Sequence, residues 1–307
     1  MRIVIEAGLP PDGLAVSTAK ALQEQHPWLV SLLTGRQATE TKWRWQEQGC
    51  APNEGLVLTL AQCPTFDDQP IGSALGPYLA SITAPDQTVW LADMCHTAIA
   101  QDRAALVALP DLAVTRAESD ALFASAAPLF EGDQDGFAVE QVDVGRWRII
   151  GNLPPPTKAI SPTALGGQDV GDWWPTGTDW RPWRRLLNEL QMVWHDHPVN
   201  EAREAAGQAT INGVWLYGGA QGWQPQPADQ TLWRDDLKQA AQAGDWHQWL
   251  QTWQSLQDVL LTADPDTSIV LLGEDRWVSL QHAPKTWWRA LLGLDQKNAW
   301  IKWWTRQ

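Results

Sequence analysis

The chain is short of tyrosine and phenylalanine, of cysteine and of positive charge. Two Tyr and four Phe stand beside 22 Trp, so nearly all aromatic bulk comes as indole. Three cysteines, Cys50, Cys63 and Cys95, have neither the count nor the spacing of a disulfide framework or a zinc site. Lys and Arg total 22 against 36 Asp and Glu, a formal charge of -14. Such a field repels phosphate backbones and anionic lipid, so direct nucleic-acid or membrane-surface binding is not expected. Only Arg181, Arg184 and Arg185 form a basic group. No run of about 18 apolar residues is present, so no membrane span is expected. Residues 2–6 read as a buried strand, not a signal peptide. These features together suggest a reduced, cytoplasmic setting.

What is present is a globular pattern. After the strand at 2–6 comes helical periodicity over 15–34, an apolar run at 56–60 read as a second strand, and a short helix at 71–83. Further strands are expected at 89–92 and 105–109. Thr115 and Glu118 form a capping box for a helix. Residues 137–142 and 146–150 alternate around a turn and form a hairpin. A connection rich in Pro, Gly and Thr fills 151–180, a length that in compact domains often belongs to a functional lid. A helix follows from Arg181 to His197, stopped by Pro198, with a continuation over 200–206 ending at Gly207. Then come a strand at 211–217, a Gly218–Gly219 turn, and helices over 228–243 and 245–261, the second capped by Asp245. A hairpin at 268–272 and 277–280 and a terminal helical pair close the chain. The fold class is α/β, a mixed sheet with flanking helices, followed by a Trp-rich, mostly helical C-terminal part. The expected domains are 1–220 and 221–307.

Trp246, Trp249, Trp253 and Trp300, Trp303, Trp304 sit at helical spacing. They read either as faces that dock helices onto a core or as an aromatic surface for a protein partner.

Functional chemistry concentrates between residues 187 and 219. Asn188, Gln191 and His195 share one helix face, which suits an internal hydrogen-bond network or ligand recognition. His195 and His197 lie two apart and converge only if the helix breaks before Pro198; no metal is expected there. Arg203 suits a carboxylate or phosphate, or an ion pair with Glu189 or Glu204. Helix, polar exit, strand and Gly-Gly turn make a candidate floor for a ligand site. Asp93 and His96 are a possible acid/base pair. Ser161 and Thr163 lack an activating base in the sequence.

The set His195, Asp196, His197, Pro198, Val199, Asn200, Arg203, Gly207, Asn212 and Trp215 to Gly219 resembles the RpfE-type regulatory proteins of proteobacteria. Val89 to His96 with Gln101, Asp102 and Arg103, and the Trp-rich tail, share that resemblance. More distantly, the same region is similar to archaeal-type cofactor-independent phosphoglycerate mutases, of the alkaline-phosphatase superfamily. The resemblance implies a mutase-derived α/β scaffold in which Asn200, Arg203 and Asn212 match the mutase pattern. Three departures accompany it. The first strand ends Glu6, Ala7, Gly8 where mutases carry a metal-binding Asp-Gly, and Asp12–Gly13 comes late. Arginines are sparse around Asp102 and Arg103. Tyr217, followed by Gly218, takes the place of an arginine. The expected function is therefore non-catalytic: regulation or an accessory role through protein contact or sensing of a small anionic ligand. No cofactor is expected. The alternative is a mutase-like isomerase or phosphoester hydrolase with a divalent metal, its pocket lined by Asn188, His195, Asn200, Arg203 and Asn212. An accessory subunit of nucleic-acid metabolism that contacts a protein partner is a third reading.

Overall fold

The computed structural model describes residues 1–100, 103–131, 136–151, 153, 159–166, 168–227, 230–282 and 298–306. The chain forms two compact units, Met1–Arg44 with Pro227–Gln307, and Trp45–Gln226. Residues 1–44 thus belong to the same unit as the C-terminal stretch from residue 227. The cause is non-local pairing. Strand β1 (Arg2–Ile5) runs parallel between β8 (Thr231–Arg234) and β9 (Ser268–Leu272). Its Ile3, Val4 and Ile5 are wholly buried, as the near-continuous apolar run of a parallel strand covered on both faces requires.

The first unit's sheet has the order β2-β10-β9-β1-β8, with β2 at Arg36–Lys42 and β10 at Arg276–His282. The hairpin β9–β10 matches the sequence reading. Residues 15–34 form two helices, α1 (Asp12–Gln25) and α2 (Pro27–Thr34), because Pro27 cannot continue α1 and instead opens α2. Residues 231–234 are strand, not helix: β1 offers them a ladder that outweighs their local preference. Helix then resumes at Lys238–Gln242. Residues 246–261 form two short helices, Trp246–Thr252 and Gln257–Leu261, around a 3-10 turn. Asp245 caps the first, accepting from the Gln248 N–H at 2.9 Å. Of the terminal helical pair, the helix Ala299–Thr305 is described, while residues 283–297 lie outside the described residues.

Tryptophan fills this core. Trp249, Trp253, Trp300 and Trp304 are buried, and Trp246 and Trp303 half-buried. Ring centroids are 5.6 Å apart for Trp249 and Trp253, 6.4 Å for Trp249 and Trp304, and 5.6 Å for Trp300 and Trp304. The helical spacing of these residues is thus a docking stripe. The Trp249 indole donates to the Ala7 carbonyl at 2.8 Å and the Trp304 indole to the Thr18 hydroxyl at 3.2 Å.

The second unit is built on β3 (Thr88–Ala100). Its first half lies between β6 (Arg146–Ile150) and β7 (Gly213–Gln221), and its second half pairs with β4 (Arg103–Val107). β5 (Ala138–Asp143) pairs with β6 as the expected hairpin. One face, with Trp90, Ala92, Met94, Trp147 and Ile149, packs on helices α7 (Arg116–Glu131) and α9 (Arg181–His195). α9 buries Trp183, Leu186, Leu187, Leu190 and Trp194, a stripe at helical spacing.

Two readings need correction here. The apolar run at 56–60 is helix, part of α4 (Pro52–Leu60). Pro52 begins it and Glu54 reaches back to the Ala51 N–H at 2.8 Å, which are helix-start signals that a short apolar run alone conceals. Gly218 and Gly219 are not a turn but a β-bulge inside β7: Ala220 pairs with Val89 and Gly218 with Trp90, leaving Gly219 out of register. Both have positive φ, 87° and 93°. A Cβ on Gly218 would lie 2.9 Å from the Gly76 Cα, so α5 (Leu75–Ala80) can approach the sheet only over bare backbone.

Candidate functional site

Alternation along three adjacent strands brings ionisable groups onto the other face of the second sheet. Asp93 on β3 stands opposite Arg146 on β6 and opposite Trp215 on β7. Tyr217, two residues beyond Trp215, projects from the same face as Asp93's diagonal neighbour. The three side chains meet. Arg146 donates through Nε and one terminal nitrogen to the two Asp93 oxygens, each at 2.8 Å, and the Tyr217 hydroxyl donates to Asp93 Oδ1 at 3.0 Å. Asp93 and Tyr217 are each 1% exposed. Burial pushes the Asp93 carboxyl up from the usual range, against the bonds from Arg146 and Tyr217 that favour its charge. Burial also opposes charge on Arg146, but Asp93 overcomes it and holds the guanidinium protonated. Burial and the Asp93 charge raise the Tyr217 phenol well above its ordinary value, so it remains a neutral donor.

Next to this triad lies a second polar group. Glu54 at the start of α4 accepts from the Ser161 hydroxyl and the Ala51 N–H. Burial pushes its carboxyl up, the Ser161, Ala51 and Thr163 donors pull it down, and the charge of Asp93 adds to the rise. Glu54 is the carboxylate partner of Ser161 that no sequence spacing revealed. The arrangement is nevertheless a clamp. The Ser161 oxygen also accepts from the Ala164 N–H at 3.2 Å, capping the helical turn α8 (Pro162–Leu165), and Ser161 is 1% exposed.

The residues singled out from the sequence separate into an outer and an inner set. Asn188, Gln191 and His195 do share a face of α9, but it is the exposed face. They form no internal network, because the core-facing stripe lies on the opposite side of the helix. His195 is beside Asp196 at 3.7 Å, both in solvent. His197 caps α10 (Pro198–Ala205), its Nδ1 accepting from the Val199 N–H at 3.2 Å. α9 ends between the two histidines, and they take separate tasks.

The inner set is buried or half-buried and bonded to backbone. Asn200 donates to the carbonyls of Trp194 at 2.7 Å and Ile211 at 2.9 Å, and accepts from the Ile211 N–H at 2.8 Å. Arg203 donates to the Ala209 carbonyl at 2.7 Å, the Leu112 carbonyl at 2.7 Å and Glu118 at 2.9 Å. Its acidic partner is Glu118, not Glu189 or Glu204; Glu189 lies 3.7 Å from Arg185. Asn212 pairs with Thr97 through both amide atoms, at 2.8 Å and 3.0 Å. Tyr217 belongs to the Asp93 triad and Gly218 to the bulge. Asp93 and His96 are not partners: three residues apart on a strand they face opposite sides, and the His96 ring lies 2.9 Å from the Thr210 carbonyl.

Arg146 and Glu54 were not singled out from the sequence. Arg146 alternates with the buried Trp147 in the hairpin, which marks it as facing away from one core, but its register against Asp93 is a tertiary fact. Near the end of the first strand, Glu6 lies 3.5 Å from Lys238, and Asp12 at the start of α1 lies 2.7 Å from Arg306. Among the described residues, no group of three or more His, Cys, Asp and Glu is placed to hold a metal. Burial raises the Cys95 thiol to about 12 and the Cys63 thiol to about 11, which leaves both poor nucleophiles. No described helix is long and apolar enough to cross a membrane.

Fold and site together define a mixed α/β protein with two sheets, whose second sheet carries an ionic triad of the buried Asp93 and Tyr217 with the half-buried Arg146. No protein-family profile and no curated protein matches the chain. Solved structures similar to it include the PH0037 protein of Pyrococcus horikoshii, at 10% identity and a TM-score of 0.41, covering 91% of this chain and 86% of that one. Another is a cofactor-independent phosphoglycerate mutase from Thermoplasma acidophilum, at 13% identity and a TM-score of 0.33, covering 91% and 89%.

Proposed function

We propose that this chain is a non-catalytic regulatory or accessory protein of the RpfE type, on a mutase-derived scaffold, acting by protein contact or by sensing a small anionic ligand. The observation that carries the reading is the use made of the motif residues. Asn200, Arg203 and Asn212, which match the mutase pattern, spend their hydrogen-bonding capacity on backbone and on Glu118. A guanidinium already holding two carbonyls and a carboxylate has few donors left for a phosphoryl group. The outward face of α9, with Asn188, Gln191, His195 and the 77% exposed Met192, is then the part of the motif region left for a partner.

The test is an assay of the full chain for phosphoglycerate isomerisation and phosphoester hydrolysis with added Mg²⁺, Mn²⁺ and Zn²⁺. No turnover above the protein-free rate is expected. Turnover that follows the protein through successive columns and disappears on chelation would defeat the reading. A thermal-shift series with phosphoglycerates separates the two modes of action, since a ligand bound only by the native state raises its apparent stability.

A further inference from the structure

We propose that Met192 is a reversible oxidation site, at which a peroxide-class oxidant changes the chemistry of the outward face of α9 without disturbing the fold. The chain has three methionines. Met94 on β3 is 0% exposed, inside the core with Trp90, Trp147 and Leu190. Met1 is 54% exposed at the start of the chain, and Met192 is 77% exposed near the C-terminal end of α9. A thioether reacts only where an oxidant reaches its sulfur, so Met192 is the most accessible of the three and Met94 is closed. Methionine is ordinarily a core residue. Met192 instead stands in solvent beside the exposed Val193, on a face otherwise polar with Asn188, Gln191 and His195.

The Met192 Sδ lone pair attacks one oxygen of the peroxide; an S–O bond forms, the O–O bond breaks and hydroxide leaves. That hydroxide takes the proton from the new S–OH group, which leaves a sulfoxide and water. Sulfur has given up two electrons and the peroxide has taken them. A methionine sulfoxide reductase reverses the change by oxidising two thiols to a disulfide and releasing the oxygen as water. Asn188, four residues before Met192, and His195, three after it, lie one helical turn to either side on the same face. Their N–H groups are donors that a sulfoxide oxygen accepts from and a thioether accepts from only weakly. Oxidation thus replaces an adaptable apolar contact with a polar, chiral one. The core is untouched, because Trp183, Leu186, Leu187, Leu190 and Trp194 lie on the buried side of the helix. That such a change tunes partner contact rests on the regulatory reading above; the oxidation itself does not.

Hydrogen peroxide titrated onto the full chain tests this, read by peptide mass spectrometry. Met192 should gain one oxygen at least about tenfold faster than Met94. The two methionine sulfoxide reductases, one for each sulfoxide epimer, should remove it from the folded protein with dithiothreitol as the thiol source. The midpoint of thermal unfolding should shift by no more than about 2 °C, as for a surface change. On a hydrophobic-interaction column the oxidised chain should elute earlier, and Met192→Leu treated in the same way should not, although its Met1 still oxidises. Met94 keeping pace with Met192 overturns the proposal. So does a larger loss of stability, a sulfoxide at 192 that the reductases remove only after unfolding, or an equal elution shift in Met192→Leu. Phosphoester turnover in the assay above would defeat the regulatory reading and leave each of these outcomes as stated.

Discussion

The two units solve the problem of a core in different ways. The first packs a large cluster of indole rings around one buried guanidinium, Arg276 beside Glu40 at 3.3 Å, and leaves the buried indole N–H groups of Trp253 and Trp300 without a partner. The second also leaves one buried indole N–H unmet, that of Trp147, but sets two charged residues in its interior and bonds each, Asp93 with the half-buried Arg146 and Arg203 with the half-buried Glu118. Ring packing is non-directional, so it tolerates an unmet donor at the cost of a lost hydrogen bond. A buried ion pair tolerates little, because removing one partner leaves an uncompensated charge. The second unit should therefore be the more brittle to single substitutions at polar positions, and the first to loss of volume.

The largest break in that comparison should come from Arg203→Ala, which removes a buried guanidinium, leaves the Leu112 and Ala209 carbonyls without their donor and takes one of three donors from Glu118. A loss of about 2–4 kcal/mol is expected in urea unfolding, most of it from the two unmet carbonyls. A loss below about 1 kcal/mol would place Arg203 among ordinary surface pairs. Acid should act on the same contact. Burial opposes the Glu118 charge, but the Thr115 amide and hydroxyl and Arg203 outweigh it and hold the carboxyl below its usual range. Its stabilisation is present above the ordinary glutamate value and is lost as pH falls through the depressed one. Acid unfolding followed by Trp fluorescence should therefore be shallower in Glu118→Gln than in the native chain.

In the first unit, Trp249→Phe should cost about 1 kcal/mol more than Trp253→Phe. The ring volumes lost are the same, but only the Trp249 change abandons an acceptor, the Ala7 carbonyl. Equal losses would mean the unpartnered Trp253 donor is met by water. The smallest effect is expected for Asp245→Ala, about 0.5–1 kcal/mol for an exposed helix cap, measured by thermal unfolding.

Local signals carried well from sequence to structure. Thr115 and Glu118 cap α7 as their spacing requires: the Thr115 N–H donates to Glu118 at 2.7 Å. The β5–β6 hairpin, α9 and the Pro198 boundary are equally local. What failed was non-local. Residues 231–234 become strand only because β1 is beside them, and the 56–60 run was too short for periodicity to separate helix from strand. At the candidate site, the amide of Asn200 gives no hint that its partners are Trp194 and Ile211. Asp93, Arg146 and Tyr217 meet by register across strands that are 53 and 124 positions apart, and no spacing rule reaches that far.

Because the first sheet is drawn from two distant stretches of the chain, it also sets an order of events during synthesis. β1 is made before the second unit, yet both strands that flank it, β8 and β9, are made after it. Ile3, Val4 and Ile5 must therefore wait, apolar and unpaired, while more than two hundred residues leave the ribosome. A nascent chain halted before residue 231 would present that strand to whatever chaperone or sticky neighbour is nearest.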